Sequence, residues 1–231
     1  MGGFQGWLSQ LNYDKLMELL ITVAAALICV TLHELAHGFA AWKLGDPTAK
    51  NAGRLSLNPI RHIDVVGLIC MAIAHFGWAK PVPINPRYFK HFRRDTAITA
   101  LAGPVANVLI SFVFLTLYSV AGWFSLYLGG PAWLEYLSLF FWYTATLSAG
   151  LAVFNLIPVP PLDGSKILFS LLPDRYYLWL LRYERYGFFL MAALLFFGVL
   201  DKPLLFLRTG MLDLMWKVCQ WPIHLLNSLY F

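Results

Sequence analysis

LMELLITVAAALICVTLHELAHGFAAWKL, residues 16–44, decides how the rest of the chain is read. A helix over about Lys15–Trp42, at ~1.5 Å per residue, is long enough to cross a hydrocarbon core of about 30 Å. Within it, His33-Glu34-Leu35-Ala36-His37 sets two histidines at i and i+4, on one helix face, where both can close on a single Zn²⁺. The glutamate beside them is placed to act as general base to a water at the metal. Ionisable groups are costly in an apolar helix, so their presence there marks a functional site.

Composition agrees with a membrane setting. The 231 residues are 59% hydrophobic and 13% charged, with a mean hydropathy of +0.64. The expected fold is an all-α polytopic membrane protein. It comprises a three-helix catalytic core, a re-entrant or β-strand-like loop, and additional C-terminal apolar helices. Residues 1–231 read as a single membrane-embedded domain, with the core at about 15–172 and the C-terminal helical region at about 173–231. The net charge of +5 reads as membrane topology, with no nucleic-acid partner, because the basic residues lie between apolar segments. Cys29, Cys70 and Cys219 are scattered and suggest small core residues rather than a disulfide framework. The N-terminus lacks a basic n-region and a cleavage site, so the first apolar helix is expected to act as its own insertion signal.

Outward from the first helix, Gly45-Asp46-Pro47 ends it by turn chemistry. AGRLSLNP (52–59) alternates like a strand, and the apolar run after Asp64 is short for a crossing, so residues 65–78 are expected to dip in and return. In Lys80-Pro81-Val82-Pro83-Ile84-Asn85-Pro86 the alternating prolines forbid helix and favour an extended, edge-like segment. Nine Lys or Arg lie between Lys43 and Arg94 and none from Thr96 to Ser165. The positive-inside rule therefore puts 43–95 in the cytoplasm, with an outbound helix (Thr96 to about Leu128), an outer turn at Gly129-Gly130-Pro131, and a return helix (Trp133 to about Ile157). The histidine pair then lies nearer the cytoplasmic face. Residues 187–200 and 203–231 read as two further apolar stretches, broken at Asp201-Lys202-Pro203 and at Thr209-Gly210; whether either spans stays open, and both are candidates for a subunit interface.

Zinc needs a third protein ligand at the same depth. The leading candidate is Asp163 in NLIPVPPLDG (155–164), where prolines unwind the helix and Gly164 lets the backbone turn. With HELAH, Ala102-Gly103-Pro104-Val105-Ala106-Asn107, Gly53-Arg-Leu-Ser-Leu-Asn-Pro59, His62-Ile63-Asp64 and Gly77-Trp-Ala-Lys-Pro-Val-Pro83, this run resembles the site-2 proteases, intramembrane zinc metalloproteases. The motifs at 53–59, 62–64 and 77–83 look like those of the short bacterial branch without PDZ or CBS domains. The resemblance implies His33, His37 and Asp163 as ligands of one Zn²⁺ per chain, with Glu34 as catalytic base. It also implies that Lys80, Pro81, Val82, Pro83, Ile84 and Asn85 belong to a loop that presents substrate as an added strand. Asn107 and Asn155 are candidates to donate to the oxyanion or hold the substrate backbone; helix packing and the satisfaction of carbonyls freed by Pro158 are their alternatives.

The expected activity is hydrolysis of peptide bonds in or near transmembrane segments of membrane-protein substrates, that is, regulated intramembrane proteolysis. The expected location is the lipid bilayer of a bacterial cytoplasmic membrane, with the active site toward the cytoplasmic side. The alternative is a non-proteolytic zinc-binding membrane protein or an inactive scaffold homologue. Three candidate ligands rather than four, and an acid beside them, favour the enzyme.

Overall fold

The computed structural model describes residues 13–67, 79–173 and 186–230. The described residues form helices and loops with no strand. The helices are α1 (Tyr13–Lys43), α2 (Phe92–Leu128), α3 (Ala132–Asn155) and α4 (Asp163–Leu171), then α5 (Tyr186–Phe196), α6 (Asp201–Cys219) and α7 (Trp221–Tyr230). Three of them, α1, α2 and α3, are long and apolar enough to cross a membrane; α5 with α6–α7 makes a fourth candidate, bent by 85°. The chain is an integral membrane protein.

The three spans pack on one another, α4 lies against α2, and α6 lies against both α2 and α3. Their contact surfaces are small and polar. Along α3 the buried positions are Leu134, Thr144, Ala145, Ser148, Ala149 and Ala152, all small but the first. Ser111 Oγ donates to the Ala145 carbonyl at 2.9 Å, and Ser148 Oγ donates to the Asn107 carbonyl at 2.8 Å. Leu109 and Leu126, by contrast, point outward. This inverts the soluble pattern for a physical reason. Between helices in lipid there is no hydrophobic gain, so close approach of small residues and interhelical hydrogen bonds provide the cohesion.

Several boundaries follow local chemistry. Helix α2 begins at Phe92, before the expected Thr96, because Asp95 Oδ2 accepts the backbone N–H of His91 at 3.0 Å and caps the added turn. It ends at Gly129, whose φ of 64° gives the left-handed C-cap before the turn to α3. Thr209-Gly210 does not break the C-terminal region as expected; α6 runs through both. The actual breaks come at Gly198, with φ 65°, and at Gln220, while Pro203 sits in the first turn of α6, where its missing N–H costs nothing. Helix α6 is tied to the C-terminal half of α2, where Ser119 Oγ donates to the Cys219 carbonyl at 2.9 Å. Part of the surface offered as a subunit interface is therefore used within the chain.

The alternation in residues 52–59 does not become a strand. Ser56 Oγ accepts the Asn58 N–H at 3.2 Å, and Asn58 Oδ1 accepts the Ile60 N–H at 3.0 Å, starting a 3-10 turn over Pro59–His62. These local bonds replace a ladder. His62 is 2% exposed, with Nε2 donating to the Ser56 carbonyl at 3.0 Å. Asp64 Oδ1 accepts from the N–H groups of Val66 and Gly67, at 2.9 and 3.0 Å, and caps a helical start at Val65. The expected re-entrant segment continues into 68–78, outside the described residues, as do Cys70 and His75.

Candidate metal centre

Helix α1 turns His33 and His37 to its buried face, one turn apart, with their rings edge-on at 4.5 Å between centroids. Asp163 reaches the same point from the first turn of α4. His33 Nε2 and His37 Nε2 lie 3.2 and 3.0 Å from Asp163 Oδ2, and 3.0 Å from each other. All three residues are buried, at 7%, 6% and 8% exposure. They are the one group among the described residues whose ligand atoms converge to within 4.8 Å, close enough to hold a metal ion.

The face of α2 opposite this point is spaced by helical turns: Thr99, Gly103 and Asn107. The Thr99 carbonyl lies 2.7 Å from His37 Nδ1. A carbonyl can only accept, so the proton stays on Nδ1 and the Nε2 lone pair faces Asp163. Asn107, fully buried, places its side-chain amide 3.1 Å from His33 Nδ1, and its Oδ1 has no hydrogen-bond partner. With that amide turned by half a rotation, Oδ1 stands against Nδ1–H and the second Nε2 lone pair is directed inward. Three lone pairs about 3 Å apart repel one another unless a proton or a cation lies between them. One carboxylate with two neutral imidazoles is a donor set suited to zinc.

Gly103 provides the room. A Cβ there would stand 2.3 Å from His37 Nε2 and 2.6 Å from His33 Cε1. Gly164 does the same for the aspartate turn, where a Cβ would meet the Leu156 carbonyl oxygen at 2.3 Å. The motif AGPVAN pointed to this helix but not to the absence of a side chain at Gly103 as its contribution. The Thr99 contact left no residue-type signal, because a backbone carbonyl is available from any residue.

Glu34 is half-buried, and its Oε2 accepts the backbone N–H of Val82 at 2.8 Å. The proline-rich segment is thereby fastened beside the histidines. Lys80 N–H donates to the His62 carbonyl at 2.9 Å, the Lys80 carbonyl accepts from Arg54 Nη2 at 2.7 Å, and Asn85 N–H donates to Asp46 Oδ2 at 2.6 Å. Val82 packs toward Gly38, where a Cβ would come within 3.0 Å of Val82 Cγ1. Lys80, Val82 and Asn85 each precede a proline and are held extended by it, but the segment has no ladder partner among the described residues. Asn155 stays apart from the cluster; its Nδ2 donates to the Leu151 carbonyl of its own helix at 3.0 Å. Lys166 has Nζ 3.9 Å from Asp163 Oδ1.

Spanning helices around a buried His-His-Asp cluster, with a glutamate beside it, define a membrane-embedded metallohydrolase class. The model of peptidase family M50 matches residues 117–198. A protein of Bacillus subtilis named "Putative zinc metalloprotease YwhC" is 39% identical over 179 residues, which are 74% of this chain and 78% of that protein. "Putative zinc metalloprotease Rip2" of Mycolicibacterium smegmatis is 29% identical over 213 residues, 87% of this chain and 77% of its own length. The Rip2 of Mycobacterium tuberculosis is 30% identical over 179 residues, covering 73% and 64% respectively. No solved structure matches. The chain belongs to peptidase family M50, the site-2 proteases, and is a membrane metalloprotease of that family.

Proposed function

We propose that the protein cleaves peptide bonds in or near transmembrane segments of membrane proteins, in regulated intramembrane proteolysis. In this reading His33, His37 and Asp163 hold one zinc ion. The observation that carries it is the convergence of their three donor atoms within 4.8 Å, beside a glutamate already bonded to a backbone amide. Zinc bound there supplies a Lewis acid that polarises the scissile carbonyl and acidifies a water.

The chain's own residues do the rest. Glu34 Oε1, the oxygen not engaged by Val82, takes the proton of the attacking water and returns it to the leaving amine. Asn107 acts on His33 as a positioning residue, holding the ring so that Nε2 points inward. A substrate helix must unwind before its carbonyl can be attacked. Residues 80–85 then offer main-chain groups to the exposed strand, with Pro81 and Pro83 keeping the segment from closing into helix. The basic residues between Lys43 and Arg94 orient this machinery toward the cytoplasmic side of a bacterial membrane.

Comparing wild type with Glu34→Gln on a model transmembrane substrate tests the scheme, with zinc content measured in both. Loss of cleavage with zinc retained is expected. Undiminished cleavage by Glu34→Gln would remove Glu34 from the mechanism, and zinc binding without cleavage by either form would favour a non-proteolytic zinc protein.

A further inference from the structure

The GRLSLNP and His-Ile-Asp motifs are not used by the chemistry above, yet they build a second feature. Residues 51–54, Ile60, Arg61, Ile63 and Lys80 line an open cavity of about 490 Å³, and three of these residues, Arg54, Arg61 and Lys80, are cationic. Among the described residues no salt bridge joins any of the three to a carboxylate. Asp64, the acid nearest Arg61 in sequence, has Oδ1 committed to the Val66 and Gly67 amides. Arg54 is 8% exposed; its Nη2 reaches the Lys80 carbonyl, and its Nε–H has no acceptor. Arg61 Nη1 donates to the Gly53 carbonyl. That oxygen is presented by a left-handed residue with φ 63°, a conformation glycine adopts without strain.

A buried, underused guanidinium and two further cationic residues lining one space repel one another unless an anion lies between them. The surroundings indicate which anion. Leu57, Ile60, Val65 and Val66 stand exposed on the same stretch, Ile60 at 74%. Apolar side chains flanking a cationic cavity, beside helices that cross the membrane, are the arrangement expected at headgroup depth. We propose that Arg54, Arg61 and Lys80 form a binding site for a phosphate oxyanion, carried by the headgroup of an anionic lipid. Arginine forks suit phosphate oxygens in particular. The assignment of this site does not rest on the proteolytic reading. It does connect to the candidate centre, because Arg54 lines the cavity and also holds Lys80, two residues from the Val82 amide that bonds Glu34.

The test uses the full chain in nanodiscs of phosphatidylcholine with and without phosphatidylglycerol, scored for lipid retained on the purified protein. Inorganic phosphate is titrated separately while thermal unfolding is followed. Arg61→Gln and Lys80→Gln are compared with Lys43→Gln, a basic residue outside the cavity. Phosphatidylglycerol retention is expected to weaken about tenfold or more in the cavity variants, as for loss of a charge-assisted hydrogen bond, and to stay within twofold in Lys43→Gln. Lys80→Gln guards against misfolding, since the recorded contacts of Lys80 are made by its backbone. A saturable shift with inorganic phosphate, lost in the cavity variants and unaccompanied by lipid retention, would support the oxyanion site and assign it to a soluble source. Equal loss in all three variants, or no enrichment and no shift in wild type, would overturn the proposal.

Discussion

At the scale of single residues, two positions on α2 decide whether the histidines are usable. Alanine is favoured over glycine inside a helix by about 1 kcal/mol, so Gly103→Ala should strengthen α2 locally. Its Cβ would nevertheless stand 2.3 Å from His37 Nε2. Metal analysis of the purified variant should therefore show most of the zinc lost while helical content is kept; wild-type zinc would mean that α1 and α2 can move apart at little cost. Asn107→Ala removes the group that holds His33. A partner of this kind usually costs ~10–100-fold in metal affinity or activity, and a competition titration against a chelator should find a loss of that size. The histidine pair and Asp163 were legible in the sequence because metal chemistry requires particular residue types at particular spacings. Thr99 and Gly103 were not, since one contributes a backbone oxygen and the other empty space.

Among the elements, the segment from Lys80 to Asn85 shows what patterning can and cannot convey. Its prolines forbade helix, and it is not helical. What the sequence did not reveal is the set of anchors supplied by Glu34, Arg54, His62 and Asp46, each distant in sequence. The alternation at 52–59 misled for a related reason, since side-chain oxygens of Ser56 and Asn58 took the amide groups that a strand would have paired. Asp46 is fully buried and also accepts the Thr48 amide at 2.9 Å. Asp46→Ala leaves both amides without their acceptor, so unfolding in detergent should show a loss of about 1–3 kcal/mol. If the segment positions substrate, KM should rise more than kcat falls; an unchanged KM would detach residues 80–85 from substrate binding.

For the whole molecule, the charge bias and the packing of α1, α2 and α3 give a topology that can be tested directly. Leu57→Cys lies in the basic region and Ala132→Cys at the outer turn, both exposed. A membrane-impermeant thiol reagent added to intact cells should label Ala132→Cys, and Leu57→Cys only after the membrane is opened. The reverse pattern would place the candidate centre toward the outer side. The three long spans and their order were readable from hydropathy. The path of α6 was not, because its position is set by hydrogen bonds to α2 rather than by its own composition.

The bond between Val82 and Glu34 carries a timing consequence. A carboxylate accepts an amide hydrogen bond roughly twice as strongly as a neutral acid does. When Glu34 takes up a proton during the proposed reaction, its hold on the Val82 amide slackens at that moment and returns when the proton leaves. The segment lying against the substrate would then be loosened once per turnover by the same proton that breaks the peptide bond, so that cleavage itself opens the way for the fragments to depart.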